Sequence, residues 1–306
     1  MRQRVALFVI GMLAAGANAA SRDVVRVAQD VYALQSGAEI ARDSFPARVG
    51  VVVGPRGVAL IDSGISYRDG VAVLAAVRRI TRRPIRFAIL THPGQEAIFG
   101  ASAYQAQGIP VIMHRETAAL MASRCATCLA NLQAALGPDA MSDTRVIVPD
   151  RTLAQGARLS GIGRALRVIA PSRSSAPGAL AVLDERSSTL FTGSIVSIRS
   201  VPDTRDGDAA GWREALVTLR ATHCRHLVPS HGSLGSCRDI DAFAGYLAEL
   251  DARIAVLLRD GVGLAQVDGR ADLPTYEGWD RYAELHRANA NRAYLRQERA
   301  AFDAAP

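Results

Sequence analysis

The sequence predicts an α/β chain in which two β-sheets pack face to face and helices cover them. Three observations carry that expectation. Short strand-like runs come in meandering groups in each half, divided by helical stretches, and do not alternate strictly with single helices. The chain has 306 residues, 49% of them apolar, enough for a large packed core. No repeat of 20–50 residues, low-complexity tract or evident linker interrupts it, so residues 20–306 are expected to form one domain closed by C-terminal helices.

Taken in order, Val24-Val25-Arg26-Val27-Ala28 alternates as a half-buried strand should, and Val31-Tyr32-Ala33-Leu34 is a second short run. Val49–Val53 and Val58–Ile61 are apolar runs joined through Pro55-Arg56-Gly57, a hairpin signal. Asp62-Ser63-Gly64 ends the second run at a turn. Tyr67–Ile80 carries apolar residues at helical spacing and stops before Pro84. The strand Ile85–Leu90 then delivers Thr91-His92-Pro93-Gly94-Gln95-Glu96. A helical segment near Ala97–Gln107, a strand Val111–Met113 and a helix Thr117–Leu136 follow.

The next part is β-rich: Val146–Val148, a run at Leu153, Leu166–Ile169, Leu180–Leu183 and Thr189–Thr192 are separated by Gly, Asp, Ser and Pro clusters. Trp212–Arg220 is helical, Leu227–Pro229 is a short strand leading to His231, and helices near Ile240–Arg259 and Trp279–Ala301 close the chain. His223 and His226 precede the strand that carries His231 and so are expected at its opposite end.

Residues 1–19 have the pattern of a secretory signal: Arg2 and Arg4, an apolar core over Val5–Ala15, then Ala17-Asn18-Ala19 as a small-x-small cleavage site. That core is shorter than the roughly 20 residues a membrane span needs. An exported, periplasmic, soluble chain with no transmembrane segment after signal removal is expected. All 36 basic residues are arginine and the formal charge is +7. No dense basic run with interleaved aromatics occurs, which argues against nucleic-acid binding. In an oxidising compartment the four cysteines, in two close pairs, suggest local disulfides Cys125–Cys128 and Cys224–Cys237. Cys125-Ala-Thr-Cys128 also has the spacing of a redox pair or half a zinc site, but no second C-x-x-C completes a four-cysteine site, and its helical surroundings lack the βαβ context of a thioredoxin-like motif.

Five segments, in order, resemble the metallo-β-lactamase fold: Ala59–Gly64, Thr91–Gly100, Ala176-Pro177-Gly178, Leu190–Ser194 and Val228–Gly232. The resemblance spans nearly the whole chain after the signal and implies an αββα sandwich, two mixed sheets flanked by helices, with its site along one edge. Within that superfamily the chain looks most like the exported quinoprotein relay system zinc metallohydrolases, which accompany pyrroloquinoline-quinone-dependent alcohol dehydrogenases. Glu39–Gly50 and the tail Tyr282–Glu298, with His286, Asn289 and Ala293-Tyr294, carry that finer likeness.

The resemblance also implies a metal site, and here the chain departs from the pattern. His92 and His231 match the first and last family histidines, and Glu96 stands where an aspartate is usual. Gly94 and Ala97 replace two histidines, Ser175 replaces the downstream histidine, and Ser194 replaces the bridging aspartate. Zinc chemistry needs about three protein ligands and a water, so neither of two adjacent zinc sites is complete. Zinc at full occupancy is not expected. His92, Glu96 and His231 are left either as a weak or vestigial metal site or as ordinary rim residues: histidines bonded to backbone, and Glu96 a helix N-terminal carboxylate or a solvated charge. Asp62 matches an aspartate that braces the metal loop. Ser172-Arg173-Ser174-Ser175 is either an anion-binding turn or a solvated one.

Two functions follow as expectations. One is a zinc-site-degenerate accessory or binding factor linked to quinoprotein alcohol oxidation, whose partner would be a periplasmic quinoprotein dehydrogenase system or a small-molecule ligand. The other is an active hydrolase of a small ester, thioester or lactone with a non-standard or mononuclear metal site.

Overall fold

The computed structural model describes residues 24–36 and 47–304. The expected signal at 1–19 and most of the Glu39–Gly50 stretch lie outside the described residues. Strands β1 (Val24–Ala28), β2 (Val31–Ser36), β3 (Ala47–Gly54) and β4 (Gly57–Ile61) form an antiparallel meander. The β3–β4 turn is the two-residue Pro55-Arg56 loop between Gly54 and Gly57. Helix α1 (Tyr67–Ile80) crosses to β5 (Ile85–Leu90), and from here the sheet turns parallel. Ser66 caps α1 by accepting from the Asp69 amide at 3.2 Å, the serine–acid pairing that marks many helix starts.

After β5 come α2 (Gln95–Ile98) and α3 (Ala101–Ala106), two short helices where one was expected, broken at Phe99-Gly100. Gly100 is required there, since a Cβ would lie 2.1 Å from the Ser63 carbonyl oxygen. Strand β6 (Val111–His114), helix α4 (Arg115–Leu136) and β7 (Arg151–Leu153) complete a seven-stranded sheet in sequence order, β1 to β7. Strands β8 (Ala157–Leu159), β9 (Leu166–Ile169), β10 (Ala181–Asp184) and β11 (Thr189–Gly193) then form an antiparallel second sheet. Helix α5 (Ala209–Arg220) returns the chain to β12 (His226–Pro229), parallel to β11. Helices α6 (Asp239–Arg259) and α7 (Tyr282–Asp303) follow.

The period-two alternation of the strands explains the layering. Val49, Val51, Val58, Leu60, Ala88 and Leu90 face a core under the first helices. Their neighbours Val52, Ala59, Ile61 and Ile89 meet Val168, Val182, Phe191 and Val228 of the second sheet. Ala181, Leu183, Leu190 and Leu227 face the other way, onto Trp212, Leu216 and Phe243. The order is therefore helix, sheet, sheet, helix: the αββα sandwich. Between the sheets Arg164 and Asp184 form a buried bidentate ion pair, and Arg164 Nη1 also donates to the Val53 carbonyl at 3.3 Å.

Three expectations are corrected. Val146–Val148 is not a strand; Val148 is 82% exposed, and the pairing moves to Arg151–Leu153. The last helix begins at Tyr282, after Arg281 turns the backbone at φ +65°. Of the two expected disulfides, Cys224–Cys237 forms, whereas Cys125 and Cys128 are free thiols one turn apart on α4. A regular helix holds such Cβ atoms about 5–6 Å apart, beyond the roughly 3.5–4.5 Å a disulfide needs. Burial and the neighbouring Cys128 push the Cys125 thiol up to about 12.

Helix α7 docks on α6 through a buried polar knot. Tyr246 Oη donates to His286 Nδ1 at 3.1 Å, His286 Nε2 donates to the Ala271 carbonyl at 3.0 Å, and Tyr282 stacks on the imidazole at 4.3 Å. Asn289 Nδ2 donates to Pro202 at 2.7 Å and to Tyr246 Oη at 3.3 Å. Burial lowers the His286 pKa from its ordinary 6.5, outweighing the Ala271 bond and the charge of nearby Asp272. The unfolded chain therefore takes up this proton more readily than the folded one. Stability from this site is full above about pH 6.5 and declines as pH falls through that value. Urea midpoints measured at about pH 7.5 and 5.5 should drop less in His286→Gln than in the parent; an equal drop would refute the assignment.

Candidate functional site

The carboxyl ends of β4, β5, β11 and β12 meet at one edge of the sandwich, the position where α/β sheets place ligands. Asp62 follows β4, Thr91-His92 follows β5, Ser194 follows β11, and Ser230-His231 follows β12. Ser175 lies on the loop between β9 and β10, and Glu96 in the first turn of α2. His223 and His226 lie at the start of β12, the far end.

Asp62 is buried with φ +64° and accepts from the Thr91 amide at 2.7 Å and from Thr91 Oγ1 at 2.8 and 3.0 Å. Thr91 Oγ1 also meets His92 Nδ1 at 2.7 Å. On its other side His92 Nε2 lies 3.1 Å from Glu96 Oε1, and His231 Nε2 reaches that same oxygen at 3.1 Å. One carboxylate oxygen thus sits between both imidazoles, joining residues from the two sheets.

The charges fit this chain of bonds. Burial would raise the Glu96 pKa, but the hydrogen bonds and charges of His231 and His92 hold it well below the usual carboxylate range. An ionised Glu96 accepts from both Nε2 atoms. The Thr91 hydroxyl has one proton, given to Asp62, so it accepts from His92 Nδ1. A His92 protonated on both nitrogens satisfies both contacts. Burial opposes that charge, but Glu96 and Asp62 outweigh it and raise the His92 pKa. Burial raises Asp62 to about 6, partly offset by His92 and the Thr91 bonds.

Zinc is the metal this architecture would call for, and the residues present do not fit it. A ligand histidine offers a lone pair from one nitrogen and usually donates from the other. Here both Nε2 atoms are spent on Glu96, and His231 Nδ1 is buried with no partner among the described residues. A Cβ at Gly94 would fall 2.5 Å from both His92 Nε2 and Glu96 Oε1, so a histidine there would break the pair. At Ala97 the backbone carbonyl accepts from Ser63 Oγ at 2.6 Å. Ser175 Oγ and Ser194 Oγ bond each other at 2.8 Å. Among the described residues no group of three or more His, Cys, Asp or Glu is arranged to hold a metal ion.

Arg48 and Gly193 were not read as site residues beforehand. Arg48, at the start of β3, donates its amide to Ser230 O at 3.1 Å and its Nη1 to Gly232 O, fastening both sides of His231. Burial lowers its pKa. Gly193, at φ +52°, leaves room for Thr91, whose Oγ1 would lie 2.3 Å from a Cβ there. His114 lies at the end of β6, where its side chain accepts from the Glu116 amide at 3.3 Å and caps α4. Ser174 Oγ is buried without a partner among the described residues, and Arg173 pairs with Asp208 at 3.2 Å.

Residues 42–231 match the sequence profile of the metallo-beta-lactamase superfamily, well over half of the chain. The chain belongs to the metallo-beta-lactamase superfamily. Solved members of similar shape include a metallo-beta-lactamase from Pontibacter korlensis, 22% identical, TM-score 0.63, aligned over 74% of this chain and 99% of that one. A metallo-beta-lactamase from Hirschia baltica is 16% identical, TM-score 0.60, over 74% and 97% of the two chains. The FIM-1 metallo-beta-lactamase from Pseudomonas aeruginosa, in a mono-zinc form, is 18% identical, TM-score 0.58, over 74% and 95%. No curated protein sequence gives a significant match. Among the described residues no helix is long and apolar enough to cross a membrane.

Proposed function

We propose that this superfamily member is zinc-site-degenerate and acts as an exported accessory or binding factor in quinoprotein-dependent alcohol oxidation, not as a metallohydrolase. The observation that carries the first part is the shared Glu96 Oε1, bonded at 3.1 Å to the Nε2 atoms of both His92 and His231. A hydrogen-bonded carboxylate stands where metal-directed lone pairs would converge, and its charge is answered by the imidazoles. Changes at Gly94, Ala97, Ser175 and Ser194 remove the other donors. The disulfide Cys224–Cys237 supports an oxidising compartment. The quinoprotein link is supported by the likeness of the Tyr282–Glu298 tail, whose His286, Asn289, Ala293 and Tyr294 form the buried face of α7.

A serine-based hydrolase gains no support from the geometry. A nucleophilic hydroxyl needs a base within hydrogen-bond reach, and among the described residues Ser175 and Ser194 bond each other and no imidazole.

Metal analysis of the purified full chain is expected to find far less than one zinc per molecule, with no change in the His92→Ala/His231→Ala double variant. Near-stoichiometric zinc that the double variant loses would overturn the degenerate reading. The partner assignment is tested separately in cells: deleting the gene should lower pyrroloquinoline-quinone-dependent alcohol oxidation. Unchanged oxidation would remove the quinoprotein role.

A further inference from the structure

A second concave feature lies at the opposite end of β12 from His231. At roughly 3.3 Å per residue the strand alone separates the two by over about 10 Å. It is an open basin of about 510 Å³, lined by the Cys224–Cys237 disulfide with Arg220, His223, Arg225, Arg238 and Asp241. The guanidinium groups come from three places: the end of α5, the start of β12, and the residue preceding α6.

Two features distinguish this basin from scattered surface charge. First, Arg220 pairs with Asp241, but Arg225 and Arg238 make no ion pair among the described residues. Second, the segments bearing those two arginines are held rigidly together. Leu227 and Gly235 exchange backbone bonds at 2.7 and 3.0 Å, and the Cys237 amide donates to Cys224 O at 3.3 Å. The Cys224 amide meets Cys237 Sγ at 3.0 Å, and the disulfide locks the turn. Two uncompensated planar cations, whose backbone positions the cross-linked turn fixes, can each make bidentate contact with oxyanions. The basin's size falls within the range of small-molecule sites. Asp241, which also lines the basin, is paired with Arg220, so the charge of Arg225 and Arg238 is left unanswered.

We infer that this basin is a binding site for a small polyvalent oxyanion of the phosphate or diphosphate class, with Arg225 and Arg238 as its principal contacts. Its place on the fold is independent of the His92–Glu96–His231 cluster.

Calorimetric titration of the full chain with inorganic diphosphate at low ionic strength should show saturable one-to-one binding. The Arg225→Ala/Arg238→Ala variant should bind at least tenfold more weakly, with its thermal midpoint unchanged. A charge-matched control, Arg259→Ala/Arg299→Ala, removes two exposed arginines elsewhere and should bind as the parent does. Absence of binding by the parent overturns the inference, as does an equal loss in both variants, which would reduce the effect to net charge. Binding of a polyglutamate peptide without binding of diphosphate also overturns it, making the face an acidic-protein interface. Where the double variant has a lowered midpoint, Arg238→Lys decides: it keeps the charge, loses the fork, and should still weaken binding several-fold, whereas full affinity counts against the site.

Discussion

Arg164→Met is expected to destabilise the protein by about 3–5 kcal/mol, the cost of leaving one member of a buried pair without its partner. Arg164 and Asp184 are 2% and 0% exposed. Asp184 also accepts from the Ser187 amide at 3.0 Å and from Ser187 Oγ. Replacing arginine alone strands that carboxylate between the sheets and leaves the Val53 carbonyl without its side-chain donor. Substituting both partners, Arg164→Met with Asp184→Leu, should recover much of the loss, since apolar replacements of buried pairs are often neutral or better. Urea unfolding of the three variants measures this. A single-variant cost below about 1 kcal/mol, the scale of an exposed pair, would show that water reaches the site.

Phe191→Ala should cost about 3–5 kcal/mol, through lost burial and the cavity it leaves. Phe191 projects from β11 into the space between the sheets, directly over Gly50 of β3. The same contact makes Gly50 intolerant of a side chain, since a Cβ would lie 2.4 Å from Phe191 Cε1 and 2.6 Å from Cδ1. Gly50→Ala alone should therefore cost about 1–3 kcal/mol by overpacking. In a Phe191→Leu background that penalty should shrink markedly. A double-mutant cycle gives the coupling directly, and additive effects would mean that the sheets adjust freely around the ring.

These two contacts mark what the sequence could and could not reveal. Val49–Val53, Val58–Ile61, Ile85–Leu90 and Thr189–Thr192 are apolar runs bounded by turn residues and grouped in meanders, so strands and a two-sheet architecture were readable from run length and grouping. Gly54-Pro55-Arg56-Gly57 announced its own turn, whereas proximity along the chain favoured both cysteine pairs alike and only Cys224–Cys237 forms. The strand Ala157–Leu159 was not readable and Arg151–Leu153 was marked only at Leu153, because both are too short for a pattern and owe their existence to pairing with β9 and β6. Cys125 and Cys128 looked like a bridge because spacing does not reveal that a continuous helix separates their Cβ atoms.

At the site, substitutions at Gly94, Ala97, Ser175 and Ser194 were visible as changes of residue type. What took their place was not. The Glu96–His231 bond joins residues 135 apart and the Arg164–Asp184 pair 20 apart, across loops of no regular pattern. Glu96 was read either with His92 and His231 as a weak or vestigial metal site or as a helix-terminal or solvated charge; that one oxygen takes both imidazoles required the sheets to be assembled first. Arg48 lies in the Glu39–Gly50 stretch but matched no site position.

The bond between Glu96 and His231 has a consequence for how the molecule matures. Glu96 belongs to the half of the chain that builds the first sheet, and His231 to the half that builds the second. Under the proposed function this join is a latch made wholly of the chain's own side chains. Its closure would need no ion delivered from outside, so newly exported molecules would reach their working form irrespective of local zinc supply and compete with no neighbour for it.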